Sequence, residues 1–132
     1  MPVYVESVTQ PSPQDLTDLA KIYADAPDWL LAPYSSADTL IAAALADGSL
    51  IAGRFNDRLL GAALLQRGDD AWRLSHLCVR KLTRKRGVGR RLLEETQRQA
   101  SEAGKPLRLA APAGHLEASA LAARTHLPLD PL

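Results

Sequence analysis

The stretch Cys78-Val79-Arg80-Lys81-Leu82-Thr83-Arg84-Lys85-Arg86-Gly87-Val88-Gly89-Arg90-Arg91-Leu92-Leu93-Glu94-Glu95 joins an apolar run to a helix-periodic run through a basic, glycine-bearing turn. The backbone amides at a helix start are free to donate to an anion, and glycines let that backbone approach with no Cβ in the way. From Arg80 to Arg91 there are seven Lys or Arg and no Asp or Glu, in a chain with 16 basic and 15 acidic residues. The cluster is therefore a local anion site in a nearly neutral protein, of the kind that cradles a pyrophosphate. Around it, the nearly continuous apolar middle of Trp72 to Leu82 predicts a strand buried on both faces. Gly87 to about Ala103 predicts a helix closed by Gly104-Lys105-Pro106, and Leu107 to Ala111 a strand returning parallel through a right-handed crossover. This unit sets the class as α/β.

Upstream, Val3 to Val8 alternates as a first strand. Ser12-Pro13-Gln14-Asp15 supplies a cap, a proline at the first helical position and acidic residues, predicting a helix from about Pro13 to Ala24. Trp29 to Tyr34 carries no decisive period, whereas Ser35-Ser36-Ala37-Asp38 caps a second helix that Gly48 ends. Ser49 to Phe55 and Arg58 to Gln66 read as strands joined by the hairpin turn Asn56-Asp57. Downstream, Glu117 to His126 reads as a short fourth helix.

The chain of 132 residues, 46% hydrophobic, fits one domain spanning 1–132 that buries a core without disulfide or metal. Its start lacks a basic, apolar leader and no run approaches the roughly 20 apolar residues of a membrane span, so a cytoplasmic protein is expected. Cys78 is the single cysteine, and His76, His115 and His126 have no ligand spacing, so no metal is expected. Nucleic acid is disfavoured, because aromatics are 5% and none interleaves with the basic cluster.

A P-loop requires Gly-Lys-Ser/Thr and a dinucleotide fingerprint requires Gly-x-Gly-x-x-Gly, and neither is present. The pattern that matches is Arg84-x-x-Gly87-x-Gly89 after a fourth strand. On these residues the chain resembles the GNAT superfamily of N-acetyltransferases. The resemblance implies a mixed central sheet flanked by helices and acetyl-CoA as ligand. It further implies that amides of Arg84, Lys85, Arg86, Gly87, Val88, Gly89 and Arg90 hold the pyrophosphate, with Leu77, Cys78 and Val79 lining the pantetheine path. On residues alone, the basic turn also reads as a solvated helix start.

Acetyl transfer to an amine needs a base and an acid for the leaving thiolate. Where the superfamily often places a Glu on the fourth strand and a Tyr on the fourth helix, this chain has Ser75 and His76, then Ala118 to Arg124 with no Tyr. His76 titrates in the right range, but a lone His on a buried strand reads first as a packed core residue, and Cys78 as a small buried apolar one. No catalytic residue is assigned. The superfamily fold continues with two strands after the fourth helix, and the roughly six residues remaining here predict a shortened C-terminus with an incomplete acceptor side.

The run Ile51-Ala52-Gly53-Arg54-Phe55-Asn56-Asp57-Arg58-Leu59-Leu60, with Val79 to Gly89 and Leu92-Leu93-Glu94-Glu95, is similar to the PanZ (PanM) family. That resemblance implies an acetyl-CoA-binding regulator that promotes self-cleavage of the aspartate 1-decarboxylase proenzyme and modulates its activity in pantothenate biosynthesis. It also implies that Arg54 and Asn56 face that partner. Without it, Asn56-Asp57 is a turn pair and Arg54 a solvated strand residue. The competing reading is an N-acetyltransferase acting on a small-molecule or protein amine.

Overall fold

The computed structural model describes residues 2–84, 86–112, 114 and 116–132, with the backbone alone for residues 116 and 117. The first strand, β1 (Tyr4–Ser7), is followed by helix α1 (Pro13–Ala24). Ser12 Oγ accepts from the Asp15 amide at 3.0 Å while the Asp15 carboxylate accepts from the Ser12 amide at 3.3 Å, a reciprocal cap with Pro13 in the first turn. A 3₁₀ turn, Asp28–Leu31, occupies the stretch whose period was indecisive. Helix α2 (Ala37–Asp47) then runs from a Ser36 cap to a left-handed Gly48, as its punctuation predicts.

Strands β2 (Leu50–Phe55) and β3 (Arg58–Arg67) form a hairpin, with φ of 47° at Asn56 and 64° at Asp57. These are residue types that tolerate the left-handed conformation a two-residue turn requires. Strand β4 (Trp72–Val79) ends three residues short of the expected Leu82. There the Asp25 carboxylate takes the Lys81 amide at 2.9 Å and a 3₁₀ turn, Lys81–Thr83, begins. Helix α3 (Val88–Glu102), strand β5 (Leu107–Ala111), helix α4 (Leu116–Thr125) and strand β6 (Leu129–Pro131) complete the order.

The sheet runs β1-β2-β3-β4-β5-β6, antiparallel through β4, then parallel from β4 to β5 and from β5 to β6. The sequence reading placed no strand in the shortened C-terminus, and β6 supplies one there. Three residues pair with Leu109, Ala110 and Ala111, and the strand is fixed from outside the ladder. Asp130 accepts from Arg108 at 2.6 Å and from Arg73 at 2.8 Å, so two neighbouring strands hold the third through charge.

Each face of the sheet has its own apolar layer. Leu19, Ile22 and Tyr23 of α1 and Leu40, Ile41 and Ala44 of α2 cover one. Val88, Leu92, Leu93 and Ala100 of α3 cover the other with Ala122 of α4. Full burial of a leucine, isoleucine or valine among them contributes about 1.5–3 kcal/mol, which drives both layers. Two facing glycines, Gly53 and Gly61, set how closely α3 approaches. A Cβ on Gly61 would come within 2.8 Å of Val88 Cγ1, so the start of α3 rests on bare backbone. Among the described residues, no helix is long and apolar enough to cross a membrane.

Candidate functional site

Against β3 the register runs from Ala62↔Cys78 to Leu64↔Ser75, so two residues of β4, His76 and Leu77, stand opposite the single Ala63. This bulge bends the strand and releases backbone groups from the ladder. His76 sits at φ 55°, a conformation that costs a non-glycine residue about 1–2 kcal/mol. Its neighbours offset that cost. Tyr23, fully buried in α1, donates its hydroxyl to the His76 carbonyl at 2.9 Å. His76 Nε2 lies 2.8 Å from the Ala32 carbonyl oxygen, and Nδ1 lies 2.7 Å from Ser75 Oγ. Because a carbonyl only accepts, Nε2 carries the proton and Nδ1 accepts from the serine hydroxyl. Burial pushes the His76 pKa below its usual value, the bond to Ala32 opposing this only in part, so the ring is neutral.

The β4–β5 ladder joins Trp72–Leu74 to Leu107–Leu109 and no further. Beyond it a cavity of about 700 Å³ opens, lined by Leu77, Cys78 and Val79 of β4, Ala110 and Ala111 of β5, and the end of α1. Leu121 and Arg124 of α4 and Leu129 of β6 close its far side, so the tail, expected to leave the acceptor side incomplete, contributes to the wall. The Cys78 thiol donates to the Ile22 carbonyl at 3.3 Å, and burial pushes its pKa up, which keeps it a protonated core group.

A second cavity, about 380 Å³, is lined by Thr83, Gly87, Val88, Gly89 and Arg90, and shares Val79 and Arg84 with the first. Gly87 caps α3 at φ 87° with no side-chain hydrogen bond, so the first-turn amides of the helix face this space. A Cβ on Gly89 would meet only Val79 Cγ2, at 3.5 Å. Packing within the protein therefore leaves room for a side chain at Gly89, so contacts inside the fold do not require a glycine there. The exposed Arg84 side chain lies back against the surface, donating from Nε to the Val79 carbonyl at 3.3 Å and from Nη2 to the Asp25 carbonyl at 3.1 Å. Arg86 is exposed on the same turn and lines neither cavity. Lys85 lies outside the described residues.

Asp25 is a residue that reading the sequence missed. Its carboxylate binds the Lys81 amide and Arg80, the amide bond chiefly holding its pKa below the usual carboxylate range. It thereby ties α1 to the turn that precedes the cradle. An acid placed directly after the first helix, in a chain with one basic block, was the available signal.

At the hairpin, Asn56 is exposed and Arg54 is engaged within the protein. Arg54 donates to Glu6 from Nε and Nη2, to Asp15 from Nη1 and Nη2, and to the Asp57 carbonyl from Nη1. One turn along α1, Asp18 accepts from Arg58, Gln14 and the Leu59 amide. Burial alone would raise the Asp18 pKa, but these donors together hold it below its usual value.

Residues 2–129 match the family described as PanZ, an acetyltransferase (GNAT) domain. The chain belongs to the PanZ family. It is 38% identical over 87 residues to the PanD regulatory factor of Salmonella typhimurium strain LT2, a match spanning 66% of this chain and 60% of that relative. In fold, it is similar to the ribosomal-protein-S18-alanine N-acetyltransferase of Escherichia coli, with a TM-score of 0.70, 22% identity, and coverage of 93% of this chain and 76% of that one. The PaiA N-acetyltransferase of Thermoplasma acidophilum, solved with coenzyme A, gives a TM-score of 0.68 at 16% identity, covering 95% and 89%. These likenesses show that the PanZ-family chain has the GNAT fold.

Proposed function

We propose that this PanZ-family chain is a cytoplasmic acetyl-CoA-dependent regulator of aspartate 1-decarboxylase, promoting self-cleavage of the proenzyme and modulating its activity. The observation that carries the ligand is the pair of adjoining cavities. One is an amide-lined turn under basic residues, suited to a pyrophosphate; the other is a mixed slot between parting strands, suited to a pantetheine arm. Val88, Gly89 and Arg90 offer backbone amides to the phosphates, Arg86 adds positive field, and Leu77, Cys78 and Val79 present strand backbone to the arm. Arg84 shapes the junction with its side chain bound to Val79 and Asp25. The partner is supported by family membership and by the regulatory factor of Salmonella, and Arg54 and Asn56 are assigned to the contact. Acetyl-CoA binding stabilises the form that meets the decarboxylase, so ligand and partner reinforce one another.

The test mixes the purified chain with the decarboxylase proenzyme of the same organism, with and without acetyl-CoA, and follows cleavage and complex formation. Cleavage that depends on acetyl-CoA is the expected result. Binding of acetyl-CoA with neither complex nor cleavage overturns the regulatory reading and leaves acetyl transfer to an amine as the activity to assay.

A further inference from the structure

Ser75 and His76 are consecutive residues of β4 and would normally point to opposite faces of the sheet. The bulge cancels that alternation, and their side chains meet at 2.7 Å with the serine hydroxyl donating to Nδ1. The other ring nitrogen is fixed on the Ala32 carbonyl, which holds the tautomer and supports a positive charge on the ring once Nδ1 is protonated. A hydroxyl, an imidazole lone pair aimed at it and an acceptor orienting the ring are the parts of an activated serine nucleophile. The hydroxyl and the imidazole are inside the protein, with Ser75 8% and His76 5% exposed, yet both residues line the cavity assigned above to the acyl-bearing arm. His76 is left-handed, at φ 55°, and backbone strain of this kind concentrates where geometry serves chemistry.

We propose that Ser75 is an acyl acceptor, taking the acetyl group from acetyl-CoA with His76 as its general base. This rests on the reading that acetyl-CoA occupies the slot. Ser75 Oγ attacks the thioester carbonyl carbon, and its proton passes to His76 Nδ1. The C–O bond forms, the C–S bond breaks, and the departing CoA thiolate takes the proton back from the imidazolium. The products are O-acetyl-Ser75 and free CoA, with no further reactant. The bulge takes Leu77 out of register with β3, so its backbone amide would be the donor for the carbonyl on which negative charge develops.

The experiment incubates the full chain with acetyl-CoA carrying an isotopic label in the acetyl group, quenches in acid at intervals, and maps labelled peptides. In parallel, calorimetry measures acetyl-CoA binding. The expected result is a single acetyl group on Ser75, removed by neutral hydroxylamine as an ester is, with matching release of CoA thiol. Ser75→Ala abolishes it. His76→Gln, which keeps a donor for the Ala32 carbonyl but lacks an imidazole lone pair, slows it about 10²- to 10⁴-fold while acetyl-CoA still binds. Mapping the label in the unaltered chain needs no variant to fold. Binding with no ester on Ser75, or label only on lysines as hydroxylamine-resistant amide, overturns the proposal. Absence of acetyl-CoA binding overturns the ligand reading on which it rests.

Discussion

Arg54 shows how a residue assigned to a partner also acts within the fold. Its donors are all engaged by Glu6, Asp15 and the Asp57 carbonyl, and only a quarter of its side chain is exposed. Removing it leaves the nearly buried Asp15 carboxylate without its cation, so Arg54→Ala is expected to cost about 2 kcal/mol in urea unfolding and to weaken partner binding as well. Loss of both properties is then the ordinary outcome for that substitution and discriminates little. Asn56 gives the cleaner test. Its φ of 47° suits glycine better than alanine, so Asn56→Gly removes the side chain while keeping the turn. Stability is expected to stay within about 0.5 kcal/mol, while the affinity for the decarboxylase falls. Unchanged affinity in a pull-down or calorimetric titration would remove Asn56 from the interface. The cradle admits a similar separation. Gly89→Ala has room within the protein and favours helix, so unfolding should shift upward by up to about 1 kcal/mol as acetyl-CoA binding weakens. An unaltered dissociation constant would mean that the ligand does not approach this backbone.

At the scale of elements, the helix punctuation was readable because caps are local. Ser12-Pro13 and Ser36 to Gly48 set α1 and α2 through hydrogen bonds spanning a few residues. The bulge in β4 was not readable: it depends on the Tyr23 hydroxyl and the Ala32 carbonyl, which are distant in the chain and carry no periodic signal. Strand β6 was missed for a related reason, since a three-residue strand has too few alternations to register and is held by Arg73 and Arg108 acting on Asp130. Arg108, then Arg73, depress the Asp130 pKa from 3.8 to about 2. The folded state therefore binds this proton less readily than the unfolded one. The contribution of the ion pair is complete above about pH 4 and fades as pH falls through the folded value. Asp130→Asn should imitate that loss at neutral pH. Amide exchange at Leu109, bonded to the Pro128 carbonyl, and at Leu132, bonded to the Ala111 carbonyl, is expected to quicken. Protection that survives the substitution would show that β6 is held by its ladder alone.

In the whole molecule, these parts converge on the seam where the antiparallel half of the sheet meets the parallel half. Gly53 and Gly61 let α3 settle onto β2 and β3, which places the amide cradle at the end of the cavity between β4 and β5. Asp25 and Arg84 tie the α1 layer to the same corner, so both helical layers meet where the two cavities join. The basic turn and its glycines were legible because their charge and bare backbone lie within one segment. The slot beside it is made by strands parting, a property of the sheet that belongs to no segment. On the proposed reading, this arrangement couples the sheet's packing to acetyl-CoA affinity. Gly61→Ala places a Cβ 2.8 Å from Val88 Cγ1 and 3.3 Å from the Cys78 carbonyl oxygen, so α3 must lift or Val88 must turn. Overpacking of this kind costs about 1–3 kcal/mol, and it displaces the cradle although Gly61 lines neither cavity. A ligand present at 100 times its dissociation constant stabilises the folded state by about 2.7 kcal/mol, a rise in melting temperature on the order of 10 °C for a chain of this size. Gly61→Ala is expected to lower the melting temperature without ligand and to shrink that rise at the same acetyl-CoA concentration. Gly89→Asp, which sets bulk and negative charge against the anion, is expected to abolish the rise. If Gly61→Ala lowers the melting point yet keeps the full ligand-induced rise, the position of α3 on the sheet does not govern the cradle.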